Sequence, residues 1–176
     1  YGFYVDLPKN YISLSANMDD ILKKDKDNEL EINKEYFNEM MAGSAKSDLN
    51  IEYFFPKKRY NAELNNIYIT VQELDIKELM VFSPKEVCNA MVDTFISLWN
   101  KPVKLYSCEF NPSNIDMKKS PGVYYYETDG PFKNQRLHAI MLEMNEKLTS
   151  FASGCEFRNC LTFRKDLIKI TNSRSE

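Results

Sequence analysis

The residues of this chain that could do chemistry are one histidine, four cysteines, and a scatter of carboxylates and tyrosines. His138 sits among Leu137, Ile140 and Leu142. A general base or a metal ligand needs an orienting partner and convergent groups, and the neighbours of His138 in sequence supply neither. It therefore reads as a packed, hydrogen-bonded strand histidine. Among the cysteines, Cys88 falls on an apolar helical stripe and reads as a buried free thiol, while Cys108 lies in a strand with no partner that sequence identifies. Cys155 and Cys160 are separated by four residues, with Gly154 providing a bend beside the first. They are the candidate disulfide, a short loop whose closure contributes about 2 kcal/mol. Their spacing is not Cys-x-x-Cys and no second pair or histidine lies near them in sequence, so zinc is not the reading.

The remaining chemistry-bearing stretches also favour plain roles. With five glycines in all, the chain has no Gly-x-Ser-x-Gly elbow, P-loop or dinucleotide fingerprint, and its single histidine excludes His-Glu-x-x-His. Glu127 and Asp129 read as a hairpin end, although paired carboxylates at the correct separation could serve glycoside chemistry. The run Asp25 to Glu29 hints at a calcium loop, but Leu30 stands where an EF-hand needs Gly and Tyr36 where it needs a bidentate Glu. No metal, cofactor or catalytic residue is assigned. Lys57, Lys58, Arg59 and Tyr60 form the densest basic cluster. They are the candidate binding surface, against the plainer reading of a solvated hairpin tip. In Tyr124-Tyr125-Tyr126 the middle residue of a strand points away from its neighbours, so at most two of them share a face.

These residues must be positioned by a chain of 176 residues, the size of one domain that buries its own core, and residues 1–176 are expected to form one globular unit. An apolar share of 43% against 28% charged residues is that of a globular protein and excludes a disordered one. A net charge of −3 offers no field to draw in nucleic acid. No apolar run reaches the roughly 20 residues of a membrane span. The chain opens at Tyr1 without an initiator Met, which fits removal of an upstream segment, either a signal peptide or a piece trimmed for expression.

Along the chain, Phe3 to Leu7 and Tyr11 to Leu14 alternate about Pro8 to Asn10 and predict an opening hairpin. Met18 to Glu31 reads as a charged connection, and Asn33 to about residue 42 as a helix closed by Gly43. Ile51 to Phe55 and Asn66 to Leu74 predict an antiparallel pair. Ser83-Pro84 caps a helix to Trp99 whose stripe of Val87, Cys88, Met91, Val92, Phe95, Leu98 and Trp99 is expected to lie on a sheet. Val103 to Phe110, Gly122 to Thr128 and one long run from Gln135 to Phe151 read as strands. A last helix carries Phe163, Leu167, Ile168 and Ile170. Leu137, Ala139 and Met141 alternate with His138, Ile140 and Leu142, so both faces of that strand look buried and helices are expected on both sides of an antiparallel sheet, an α+β fold.

Four stretches carry a resemblance: Tyr1 to Pro8, Pro84 to Trp99, Gly122-Val123-Tyr124-Tyr125-Tyr126, and Phe163 to Ser173. With this order of elements the chain resembles the PsbP-like family, which includes the photosystem subunit PsbP, a Ran-binding nuclear transport factor, and bacterial secreted proteins or lipoproteins. The resemblance is to the bacterial secreted or lipoprotein branch. It implies an α/β/α sandwich and a non-catalytic, extracytoplasmic protein that binds or assists assembly of another protein, with a lipid anchor upstream as one form. Secretion would place Cys155 and Cys160 where a disulfide persists. The family offers no shared site to carry over residue by residue. The alternatives are a small hydrolase with an unrecognised carboxylate site and an intracellular protein-binding adaptor.

Overall fold

The computed structural model describes residues 3–13, 50–56, 64–72, 76–118 and 120–175. Its strands are β1 (Tyr11–Ser13), β2 (Asn50–Pro56), β3 (Asn66–Gln72), β4 (Leu105–Phe110), β5 (Val123–Asp129), β6 (Gln135–Met144) and β7 (Lys147–Glu156). The helices of the described residues are α1 (Ile76–Leu79), α2 (Pro84–Trp99) and α3 (Cys160–Ser173). All strand pairs are antiparallel, and the seven strands form one sheet in the order β1-β2-β3-β7-β6-β5-β4. The fold is α+β. The connection expected over 18–31 and the helix expected over 33–42 lie outside the described residues.

Two readings of the strands are corrected. The opening segment does not hairpin onto β1: Tyr4 and Ser175 exchange backbone hydrogen bonds of 2.7 and 2.9 Å, and β1 pairs with β2 instead. The run from Gln135 to Phe151 is two strands rather than one. Asn145 and Glu146 take left-handed φ of 49° and 61°, which folds β6 back onto β7 with Met144 opposite Lys147. Two successive left-handed residues match the right-handed twist of a hairpin. The usual Gly is absent from this turn, so the signal was silent.

Alternation sends the central strands into two clusters of buried residues. Val123, Tyr125, Ile140, Leu142 and Phe151 pack with Phe163, Leu167 and Ile170 of α3. Tyr124, Tyr126, Leu137, Ala139 and Met141 pack with Ile76 of α1 and with Val87 and Cys88 of α2. Helix α3 lies against β7, β3 and β6, whereas α2 lies against β4 and β5. Tyr11 brings β1 to α3 through a 3.1 Å hydrogen bond from its hydroxyl to Asp166 Oδ2, with its ring edge-on to Phe163.

Local chemistry explains why α2 starts and stops where it does. Ser83 Oγ accepts from the Glu86 N–H at 3.3 Å, and Glu86 Oε2 accepts from the Ser83 N–H at 2.8 Å, a reciprocal box that satisfies two orphan donors. The same bonds hold the Glu86 carboxyl below the usual carboxylate range. Asn100, left-handed at φ 48°, ends the helix ahead of Pro102. Only part of the expected stripe reaches the sheet. Val87 and Cys88 are buried and Phe95 and Trp99 half-buried, but Leu98 is 70% exposed.

Candidate functional site

Two places on this frame bring together residues worth a functional reading. The first lies under the α3 side of β5 and β6, where register sets Glu127 opposite His138 and Asp129 opposite Arg136. His138 Nδ1 is 3.0 Å from the Tyr125 hydroxyl and 3.7 Å from Glu127 Oε2, and the residue is only 3% exposed. Burial lowers its pKa to about 4, helped by the positive charges of Arg164 and Arg136, so the ring is neutral at physiological pH. Burial also pushes the Glu127 carboxyl up, opposed by Arg164. The Tyr125 hydroxyl is driven well above its ordinary value, again chiefly by burial.

A tyrosine, a histidine and a glutamate in contact could relay a proton. Here the imidazole is enclosed, and the Arg164 guanidinium lies 5.0 Å from the Tyr125 ring. The Tyr125 and Glu127 contacts tie the ring into the interior between β5 and β6. His138 is thus a packed, hydrogen-bonded strand residue. Glu127 and Asp129 stand at the hairpin end: Asp129 accepts from the Tyr106 hydroxyl at 2.8 Å and from the Lys104 N–H at 3.1 Å. A bulge between Leu105 and Ser107 turns Tyr106 onto this face, where the Arg136 guanidinium lies 3.0 Å from its ring centre and 4.8 Å from that of Phe157. Sequence reasoning missed Arg136, Arg164 and Tyr106. The first was accessible from hairpin register; the others depend on a bulge and on helix docking.

The cysteines fall into two pairs. Cys155 and Cys160 stand at disulfide distance with Cα atoms 5.1 Å apart, linking the end of β7 to the first residue of α3. Cys88 and Cys108 also stand at disulfide distance, with Cα atoms 6.3 Å apart. This corrects the reading of Cys88 as a free thiol and of Cys108 as partnerless. Helix α2 lies against β4, a contact that a sequence separation of 20 conceals.

The second place is the turn from α1 to α2. Met80, Val81 and Phe82 are 41%, 77% and 55% exposed, and Phe110 at the end of the edge strand β4 is 36% exposed. Gly122 joins them. A Cβ there would come 2.8 Å from the Phe110 ring and 3.7 Å from the Met80 sulfur, so both side chains rest over this bare backbone point. Met80, Val81, Phe82 and Phe110 thus come from two segments, with the bare backbone of Gly122 as a third. The candidate surface of Lys57, Lys58, Arg59 and Tyr60 lies outside the described residues.

No protein-family model matches the chain, and no curated protein matches it. Among solved structures it is similar to the solution structure of cyanobacterial PsbP (CyanoP) from Synechocystis sp. PCC 6803. The TM-score is 0.61 at 12% sequence identity, over 99% of this chain and 86% of that one. The fold is PsbP-like. At that identity the likeness concerns the fold and leaves the function to the site. The PsbP-like sheet carries both places just described, one beneath α3 and the other beside α2. Among the described residues no helix is long and apolar enough to cross a membrane.

Proposed function

We propose that the chain is a single domain over residues 1–176, an α/β/α sandwich that works as a non-catalytic, extracytoplasmic binding or assembly protein whose partner is another protein. The observation that carries this reading is the surface of Met80, Val81, Phe82 and Phe110. A contiguous apolar patch is costly to keep in water and marks a place where another surface docks. Aromatic and methionine side chains are those enriched at the centre of such contacts. The capped start of α2 and the backbone at Gly122 hold the patch on ordered structure. Two cysteine pairs at disulfide distance support an oxidising compartment, where such bonds persist. The PsbP-like fold is compatible with a binding role.

A photoreactive residue at position 82, introduced in the organism that makes the protein, is expected to cross-link one protein partner, and the same probe at exposed Lys165 is not. Binding of that purified partner should then fall at least tenfold in a Val81→Ser/Phe82→Ser protein with unchanged circular dichroism, a loss of about 1.4 kcal/mol or more. Unchanged affinity, or equal cross-linking from both positions, contradicts the reading.

A further inference from the structure

Cys155 and His138 lie on the same face of adjacent strands, because Cys155 is opposite Arg136 and His138 is two residues further along β6. The first residue of α3 brings Cys160 to the same point. An imidazole nitrogen of His138 and the sulfurs of Cys155 and Cys160 all lie within 4.8 Å of one another. Two thiolates and an imidazole are a donor set that suits zinc and its chemical relatives. His138 supplies a second, independent sign of a ligand. Its Nδ1 is taken by the Tyr125 hydroxyl, and its Nε2, fully buried, has no hydrogen-bond partner among the described residues. A buried nitrogen of this kind is costly unless something accepts its lone pair or its proton.

We propose that the reduced Cys155–Cys160 pair and His138 form a binding site for a divalent ion of the zinc class, so that the same two cysteines either bond to each other or hold the metal. With Nδ1–H donated to the Tyr125 oxygen, Nε2 carries the lone pair that ligates, and Tyr125 keeps the ring in that tautomer. The exchange balances simply. A dithiol reductant gives two electrons and two protons to the disulfide, breaking the S–S bond and becoming a disulfide itself. The two thiols then release their protons to solvent as the divalent ion binds, and two thiolates cancel its charge. The sulfurs have to part to about 3.8 Å, the edge of a tetrahedron with metal–sulfur bonds of about 2.3 Å. Cys155 is fully enclosed in the sheet, so Cys160, half-buried at the helix start, is the one that moves. Three protein ligands leave a fourth position for water or an outside donor.

Cobalt(II) is the probe, because its visible spectrum reports tetrahedral geometry and its near-ultraviolet charge-transfer band reports thiolate ligands. A Cys88→Ser/Cys108→Ser protein, reduced with a phosphine, is expected to bind one equivalent with both signals and to release it to zinc. The same protein left oxidised is expected to bind none. Further replacement of Cys155 and Cys160 by Ser should abolish the charge-transfer band, and His138→Gln should weaken binding at least tenfold and shift the visible bands. Thiolate bands that survive loss of Cys155 and Cys160, or a His138→Gln protein with unchanged affinity and spectrum, overturn the proposal. If reduction loosens the fold, zinc added to the reduced wild-type chain should restore its circular dichroism at one equivalent. Failure to restore it overturns the proposal equally.

Discussion

Helices α2 and α3 are of similar length, and each carries a cysteine at disulfide distance from a strand, yet they are held in different ways. Helix α3 buries Phe163, Leu167 and Ile170 completely and lies across the middle of the sheet. Helix α2 buries only Val87 and Cys88, lies over the strands at one end of the sheet, and keeps Ile96 and Leu98 in solvent. Packing suffices for α3, and Cys155–Cys160 closes a loop between elements that already touch. For α2 the pairing of Cys88 with Cys108 adds a second attachment beside the shallower packing of Val87, Met91, Phe95 and Trp99. An amphipathic stripe shows that a helix will dock, and the depth of docking depends on what the sheet offers beneath it.

Truncating one aromatic on each helix separates the two most strongly. Phe163→Ala, at a side chain 1% exposed, is expected to lower unfolding free energy by about 3 to 5 kcal/mol. Phe95→Ala, at a half-buried ring stacked 4.6 Å from Trp99 and 6.1 Å from Tyr126, is expected to cost about 1 to 2 kcal/mol. Urea titrations of both proteins check the ratio. Equal losses would mean that α2 is as deeply docked as α3.

Opening the link on α2 is next in size. A Cys88→Ser/Cys108→Ser protein should lose about 3 kcal/mol, as expected for a loop of about twenty residues. The loss should also be uneven. Amide exchange along α2 is expected to quicken well before exchange along α3, because α2 has fewer buried side chains to hold it. Uniform quickening in both helices would show that the link supports the whole fold and not one helix.

A pH slope is expected from beneath α3. His138 has a folded pKa of about 4 against 6.5 when unfolded, so between those values the unfolded chain takes up a proton that the native protein does not. Stability from this residue is complete above about pH 6.5 and falls as pH drops towards 4, by up to about 3 kcal/mol. Glu127, whose carboxyl is pushed up, runs the other way and offsets part of it. A His138→Gln protein should stay folded at neutral pH and show a shallower slope over that window in denaturation at a series of pH values. Identical slopes would place His138 in contact with solvent.

Much of the frame was legible because several local signals agreed. Ser83-Pro84, the apolar stripe and Asn100 before Pro102 placed α2 at its observed ends, and β2, β3 and β5 followed from β-branched and aromatic runs. Errors arose where the deciding feature was tertiary or chemically quiet. Asn145-Glu146 folds a hairpin without glycine, and Tyr4 pairs with Ser175 at the far end of the chain. The candidate site was legible only in pieces. Cys155 with Cys160 could be paired from spacing. His138 stands beside them only because β6 and β7 are neighbours, and the exposed turn at Met80 to Phe82 had no periodicity to mark it.

The PsbP-like sheet carries two cysteine pairs at disulfide distance, one joining α2 to β4 and the other at the start of α3, and the proposed oxidising compartment would keep both bonds closed. Mass spectrometry of a non-reduced digest, from protein prepared without reductant in the organism that makes it, tests this directly. Two linked peptide pairs are expected, Cys88 with Cys108 and Cys155 with Cys160, and no free thiol. Four free thiols, or pairs joined in any other order, would contradict it.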